Sequence, residues 1–151
     1  MTPVRTCIIL MLATAISLQA APILNGGFEA GWGSAATFSD YIRCYSNDTC
    51  GWTPSSGGME YWDIIGQVDY ISTHWVNQEG SRSVDLNGGA SPGGISQTFD
   101  TVPGALYEVF FYLAGNPDGN TVPGVPKVKT LTVAAEGQSA NFTFDTLGIT
   151  Q

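Results

Sequence analysis

Residues 80–99 read G-S-R-S-V-D-L-N-G-G-A-S-P-G-G-I-S-Q-T-F, and the fold class follows from how they alternate. Val84 and Leu86 alternate with Ser83, Asp85 and Asn87. Ile95, Gln97 and Phe99 then alternate with Ser96 and Thr98. A period of two marks half-buried strands, because successive side chains on a strand point to opposite faces. Between the two runs lie Gly88, Gly89, Ser91, Pro92, Gly93 and Gly94, a composition that holds no regular element and reads as a loop. The stretch predicts two short strands joined by a glycine-rich crossing.

The whole chain agrees with that reading. Its 151 residues suggest one domain. Nineteen glycines, eight prolines and only 12% charged residues disfavour helices and point to an all-β fold with many turns. Five basic residues stand against thirteen acidic ones, a net charge of −8. Binding to nucleic acid needs clustered Lys and Arg, so that class of partner is excluded. An acidic surface suits solubility, and suits cation binding at some carboxylates.

The N-terminus reads as an address rather than as fold. Arg5 gives a short positive region, 7–18 are a nearly unbroken apolar run, and Ala20, Ala21 and Pro22 follow. This is the pattern of a secretory signal peptide, here 1–20, too short for a comfortable membrane span. An uncleaved anchor is the competing reading. Residues 21–151 form the expected domain, with no second long apolar run and so no membrane association after cleavage. Cys7 leaves with the signal, and Cys44 and Cys50 remain. In an oxidising compartment such a close pair is expected to form a disulfide. Closing that small loop stabilises by about 2 kcal/mol in the chain-entropy account. Two free thiols, or half a zinc site drawing on the single histidine, His74, are the alternatives.

Further strands are expected on either side of the opening stretch. Ile23 and Leu24 read as a short first strand, 30–53 as an aromatic loop region, and 59–65 and 67–72 as two strands separated by Gly66. Residues 106–114, L-Y-E-V-F-F-Y-L-A, are the most apolar run, and both faces are largely apolar. They predict a central strand covered on both sides. Residues 115–126, with three prolines, form a long loop at the edge of a candidate binding site. A hairpin is expected from 128–134 and 139–144 around Glu136-Gly137. No further strand follows 144–151, so the expectation is a sandwich truncated at its C-terminus. Asn47 and Asn141 each open an N-x-T sequon.

Five blocks in order carry a resemblance. They are N-G-G-F-E at 25–29, V-D-Y-I at 68–71, the 80–99 block, L-A-G-N-P-D-G at 113–119 and V-K-T-L-T-V at 128–133. Together they resemble the choice-of-anchor C family of bacterial exported proteins, itself related to plant cell-wall proteins carrying domain of unknown function 642. The resemblance implies a galactose-binding-like jelly-roll β-sandwich, exported to the cell surface or wall, in a family whose domains associate with polysaccharides or wall proteins without established catalysis. Carbohydrate-binding jelly rolls with a similar N-x-F-E opening often hold a structural calcium, which would make Glu29 a metal ligand.

No catalytic constellation emerges from the residues themselves. A Ser-His-Asp triad could use only His74, and no G-x-S-x-G elbow marks a serine. The glycine run lacks the lysine and the helix of a phosphate-binding loop. A two-carboxylate glycosidase stays formally open, because thirteen acids give many pairs and the sequence selects none. A sugar-binding module fits better: aromatics stack on apolar sugar faces while amides and carboxylates orient hydroxyls. Candidate contacts are Trp62, Tyr70 and Trp75 with Asp85, Asn87 and Asn116, each aromatic having the core as its competing place. The expected function is an exported, non-catalytic carbohydrate- or wall-binding module. The alternative is a surface structural or adhesion domain that contacts proteins and binds no sugar.

Overall fold

The computed structural model describes residues 23–31, 40–46, 58–89, 91–116 and 123–149. The expected signal peptide, Asn47, Cys50 and Trp52 lie outside them. Seven strands and no helix make up the regular structure of the described residues: β1 (Tyr41–Tyr45), β2 (Asp63–Ile65), β3 (Gln67–Ile71), β4 (Ser83–Asp85), β5 (Gly94–Ser96), β6 (Val128–Ala135) and β7 (Gln138–Asp145). They pair antiparallel in three sheets, ordered β1-β3-β4, β2-β5 and β6-β7. The protein is all-β.

The three-stranded sheet is two-faced, and the pleat explains why. Its registers place Ile42 opposite Tyr70 and Tyr70 opposite Val84, with Cys44 opposite Val68. This set faces the core, where Cys44, Val68 and Tyr70 are almost fully buried with Met59 and Ile64, and where Ile42, Val84, Leu86, Ile95, Trp62 and Phe28 pack around them. The other rungs, Tyr41–Ile71–Ser83 and Arg43–Asp69–Asp85, share the opposite face. Residues 41–45, within the segment expected to be an aromatic loop region, form the strand β1. Its Y-I-R-C-Y pattern alternates outward Tyr and Arg with inward Ile and Cys.

Both strands expected in 80–99 are present, as β4 and β5, and they belong to different sheets. The glycines between them let the chain pass close to β3. A methyl group at Gly88 would overlap Asp69, and one at Gly93 would overlap the Gln67 backbone. The Gly93 amide donates to the Leu86 carbonyl at 2.6 Å and closes the crossing.

Three strand expectations need correction. Ile23 and Leu24 enter a turn. The strand expected over 59–65 shrinks to β2, because Tyr61 takes φ 70°, outside the strand region; Met59 makes only an isolated bridge to Gly31. Residues 106–114 form no ladder, and the run expected to be covered on both faces is exposed. Leu106 is 99% exposed, Phe110 83% and Tyr112 74%. Alternation states which faces a strand could bury, but burial needs a neighbouring strand, and the described residues place none there. Its contact with the β6–β7 hairpin includes an edge-on pairing of Phe111 with Phe142 at 5.0 Å. The hairpin itself forms as expected, with eight residue pairs and a turn in which Glu136 and Gly137 take φ 50° and 75°, the left-handed pair that a two-residue loop favours.

Candidate functional site

A pocket of about 380 Å³ opens on the polar face of the β1-β3-β4 sheet. Its floor is one rung crossing three strands: Arg43 on β1, Asp69 on β3 and Asp85 on β4 are consecutive register partners. Like charges opposite one another are unfavourable on a sheet, and Arg43 offsets the repulsion from one side. Its Nε and Nη2 donate to the two Asp69 oxygens at 2.9 and 3.1 Å, a bidentate fork. That hydrogen bonding raises the Arg43 pKa further above its ordinary value. Asp69 is 6% exposed, so the fork neutralises a carboxylate that water barely reaches.

Asp85 is held from the loops instead. Its Oδ1 accepts the Asn87 amide at 2.9 Å, and its Oδ2 accepts the Asn116 side chain at 3.4 Å. Gly88 and Gly89 complete this side. The facing wall is aromatic. The His74 ring lies edge-on to Tyr41 at 5.4 Å and to Trp75 at 5.0 Å, and the Arg43 guanidinium sits 5.9 Å over the Tyr41 ring. Two polar contacts fix the wall: His74 Nδ1 pairs with the Asp40 carboxylate, and Trp75 Nε1 donates to Ser83 Oγ at 3.2 Å. An aromatic wall beside a hydrogen-bonding floor is an arrangement that binds small polar molecules with flat apolar faces.

Of the sequence candidates, Trp75, Asp85, Asn87 and Asn116 meet in this pocket. Tyr70 lies on the reverse of the same sheet, 1% exposed, with its hydroxyl donating to the Phe28 carbonyl. Burial raises its pKa. Trp62 packs on the core against the Phe28 ring, its Nε1 donating to the Asn25 carbonyl at 3.0 Å. Beside them the pocket is lined by side chains outside that candidate set, among them Tyr41, Arg43, Asp69 and His74. Alternation within β1 and β3 carried the signal for the first three, since one face of each strand holds only Tyr, Arg, Gln, Asp and Ile.

Glu29 holds structure together. Its Oε1 accepts the Ser81 amide at 2.8 Å and its Oε2 the Ser81 hydroxyl at 2.6 Å. Burial pushes the carboxyl up, but the Ser81 bonds, with the Arg82 amide and charge, outweigh it and hold the pKa below its ordinary 4.5. Both Glu29 oxygens are engaged by Ser81, and among the described residues no group of three or more His, Cys, Asp or Glu could hold a metal ion. Cys44 is buried in the core beneath the pocket.

Fold and site together define an antiparallel all-β protein with a polar pocket on the outer face of its principal sheet. The chain belongs to the family described as protein of unknown function DUF642, whose model matches residues 22–151. It is also 31% identical over 97 residues to halomucin of Haloquadratum walsbyi, an alignment that covers 62% of this chain and 1% of that protein. No solved structure matches it.

Proposed function

We propose that the protein is an exported, non-catalytic module that binds a carbohydrate or cell-wall component in the pocket on the β1-β3-β4 sheet. The observation that carries this reading is the Tyr41–His74–Trp75 wall standing beside the Arg43–Asp69–Asp85 rung. Sugar rings present an apolar face for stacking and a rim of hydroxyls for hydrogen bonding, and the pocket offers a partner for each. Binding without catalysis is supported by the state of the two carboxylates. Asp69 is locked in the arginine fork, so the two do not form a free acid–base pair.

The finer assignments belong to the same reading: a choice-of-anchor C-type, galactose-binding-like jelly roll, a cleaved signal over 1–20, a Cys44–Cys50 disulfide, and a place at the cell surface or wall. Membership of DUF642 and the match to a protein named halomucin support a surface setting. A second reading, a surface domain that contacts proteins, is favoured by the exposed run Leu106, Phe110, Tyr112. Affinity electrophoresis through gels containing soluble polysaccharides separates the two. Retardation that Trp75→Ala abolishes at unchanged melting temperature supports sugar binding in the pocket. Migration unaffected by every polysaccharide removes it.

A further inference from the structure

We infer that the pocket selects by charge, taking neutral, hydroxyl-rich sugar chains and rejecting uronate or sulfated ones, with Asp85 as the selecting residue. This rests on the carbohydrate reading and adds a ligand class to it. The inference comes from an imbalance in the rung that crosses the three strands. Two carboxylates, Asp69 and Asp85, are direct cross-strand neighbours, and one guanidinium serves them. Arg43 spends its fork on Asp69, so the fixed charge on the pocket floor is that of Asp85.

Asp85 remains able to accept further donors. A carboxylate presents about four acceptor positions. One oxygen takes the Asn87 amide at 2.9 Å, and the other, among the described residues, has the long 3.4 Å contact from Asn116. A sugar hydroxyl is the donor that suits such an oxygen, whereas a second carboxylate or a sulfate has no proton to give and meets a like charge. The pocket therefore presents acceptors to hydroxyls and repulsion to anions, and its arginine charge is already matched by Asp69.

Full-length protein would be run through affinity gels containing hydroxyethylcellulose, a neutral galactan or polygalacturonate at matched low ionic strength. The expected result is retardation by at least one neutral polymer and none by polygalacturonate. Asp85→Asn should weaken neutral binding roughly tenfold or more, the usual effect of removing a charged hydrogen-bond acceptor. Asn116→Lys, which pairs Asp85, should make polygalacturonate retard the protein and keeps the test alive should Asp85→Asn fold poorly. Asp100→Asn, an exposed change outside the pocket, should alter neither. Retardation of the parent by polygalacturonate at least as strong as by the neutral polymers overturns the selection and leaves sugar binding standing. An equal effect of Asp100→Asn and Asp85→Asn assigns the selection to overall charge and overturns the role of Asp85. No retardation by any polymer removes the carbohydrate reading and this inference with it.

Discussion

Residues 40–97 and 101–149 are both rich in apolar alternation, and they end in opposite states. In the first region, β3 has a strand on each side and the reverse of its sheet is covered, so Val68 and Tyr70 are no more than 1% exposed. In the second, a two-stranded hairpin stands beside a run that pairs with no strand among the described residues. Leu106, Phe110 and Tyr112 face solvent, and Thr146, buried through two hydrogen bonds to the Lys127 carbonyl, is an exception. A lone hairpin is marginal in water, whereas three strands with one covered face can stand alone. Apolar pattern is a capacity for burial that only a neighbour converts into stability.

The sharpest way to break this contrast is to truncate one aromatic in each region. Tyr70→Ala should cost about 3–5 kcal/mol in urea unfolding, the range for large core residues. Phe110→Ala should stay within about 0.5 kcal/mol, as exposed positions do. Comparable losses at both sites would mean that Phe110 is buried in solution.

A smaller effect is expected at the crossing. Gly88→Ala adds a methyl where the Asp69 carboxyl and amide already lie, and overpacking of this kind costs about 1–3 kcal/mol. Gly26→Ala, with open space around it, serves as the control. Equal midpoints for the two variants would show that the crossing yields freely and that its glycines are not required by packing against β3.

The smallest effect is electrostatic. Because the folded pKa of Glu29 is lowered, its contribution is complete above the unfolded value of 4.5 and fades as pH falls through the folded one. Glu29→Gln should lower the Tm by about 1–3 °C at pH 7, with the gap narrowing steadily below pH 4.5. A gap that widens on acidification would show that Ser81 is not the partner that matters.

What was legible in the sequence tracks how local the cause was. The β6–β7 hairpin could be read because Glu136-Gly137 specifies its own turn, and β4 and β5 because their alternation ends in glycine on the inner side. β1 escaped because its five residues lie among aromatic loop segments, and their strand character depends on pairing with β3. The same non-locality hid half of the pocket. Asp85 and Asn87 stand out at a strand end, but nothing near Arg43 in sequence announces Asp69, 26 residues away. Tyr70 is a core residue and not a ligand contact; composition marks an aromatic without saying which way it points. One residue of register decides that.

That register has a consequence for how such a protein can change. Along β3 the core positions, Val68 and Tyr70, are interleaved with the pocket-face positions Gln67, Asp69 and Ile71. The two sets never share a side of the sheet, so a lineage could rewrite every second letter of this strand and acquire a new ligand while inheriting the old fold intact.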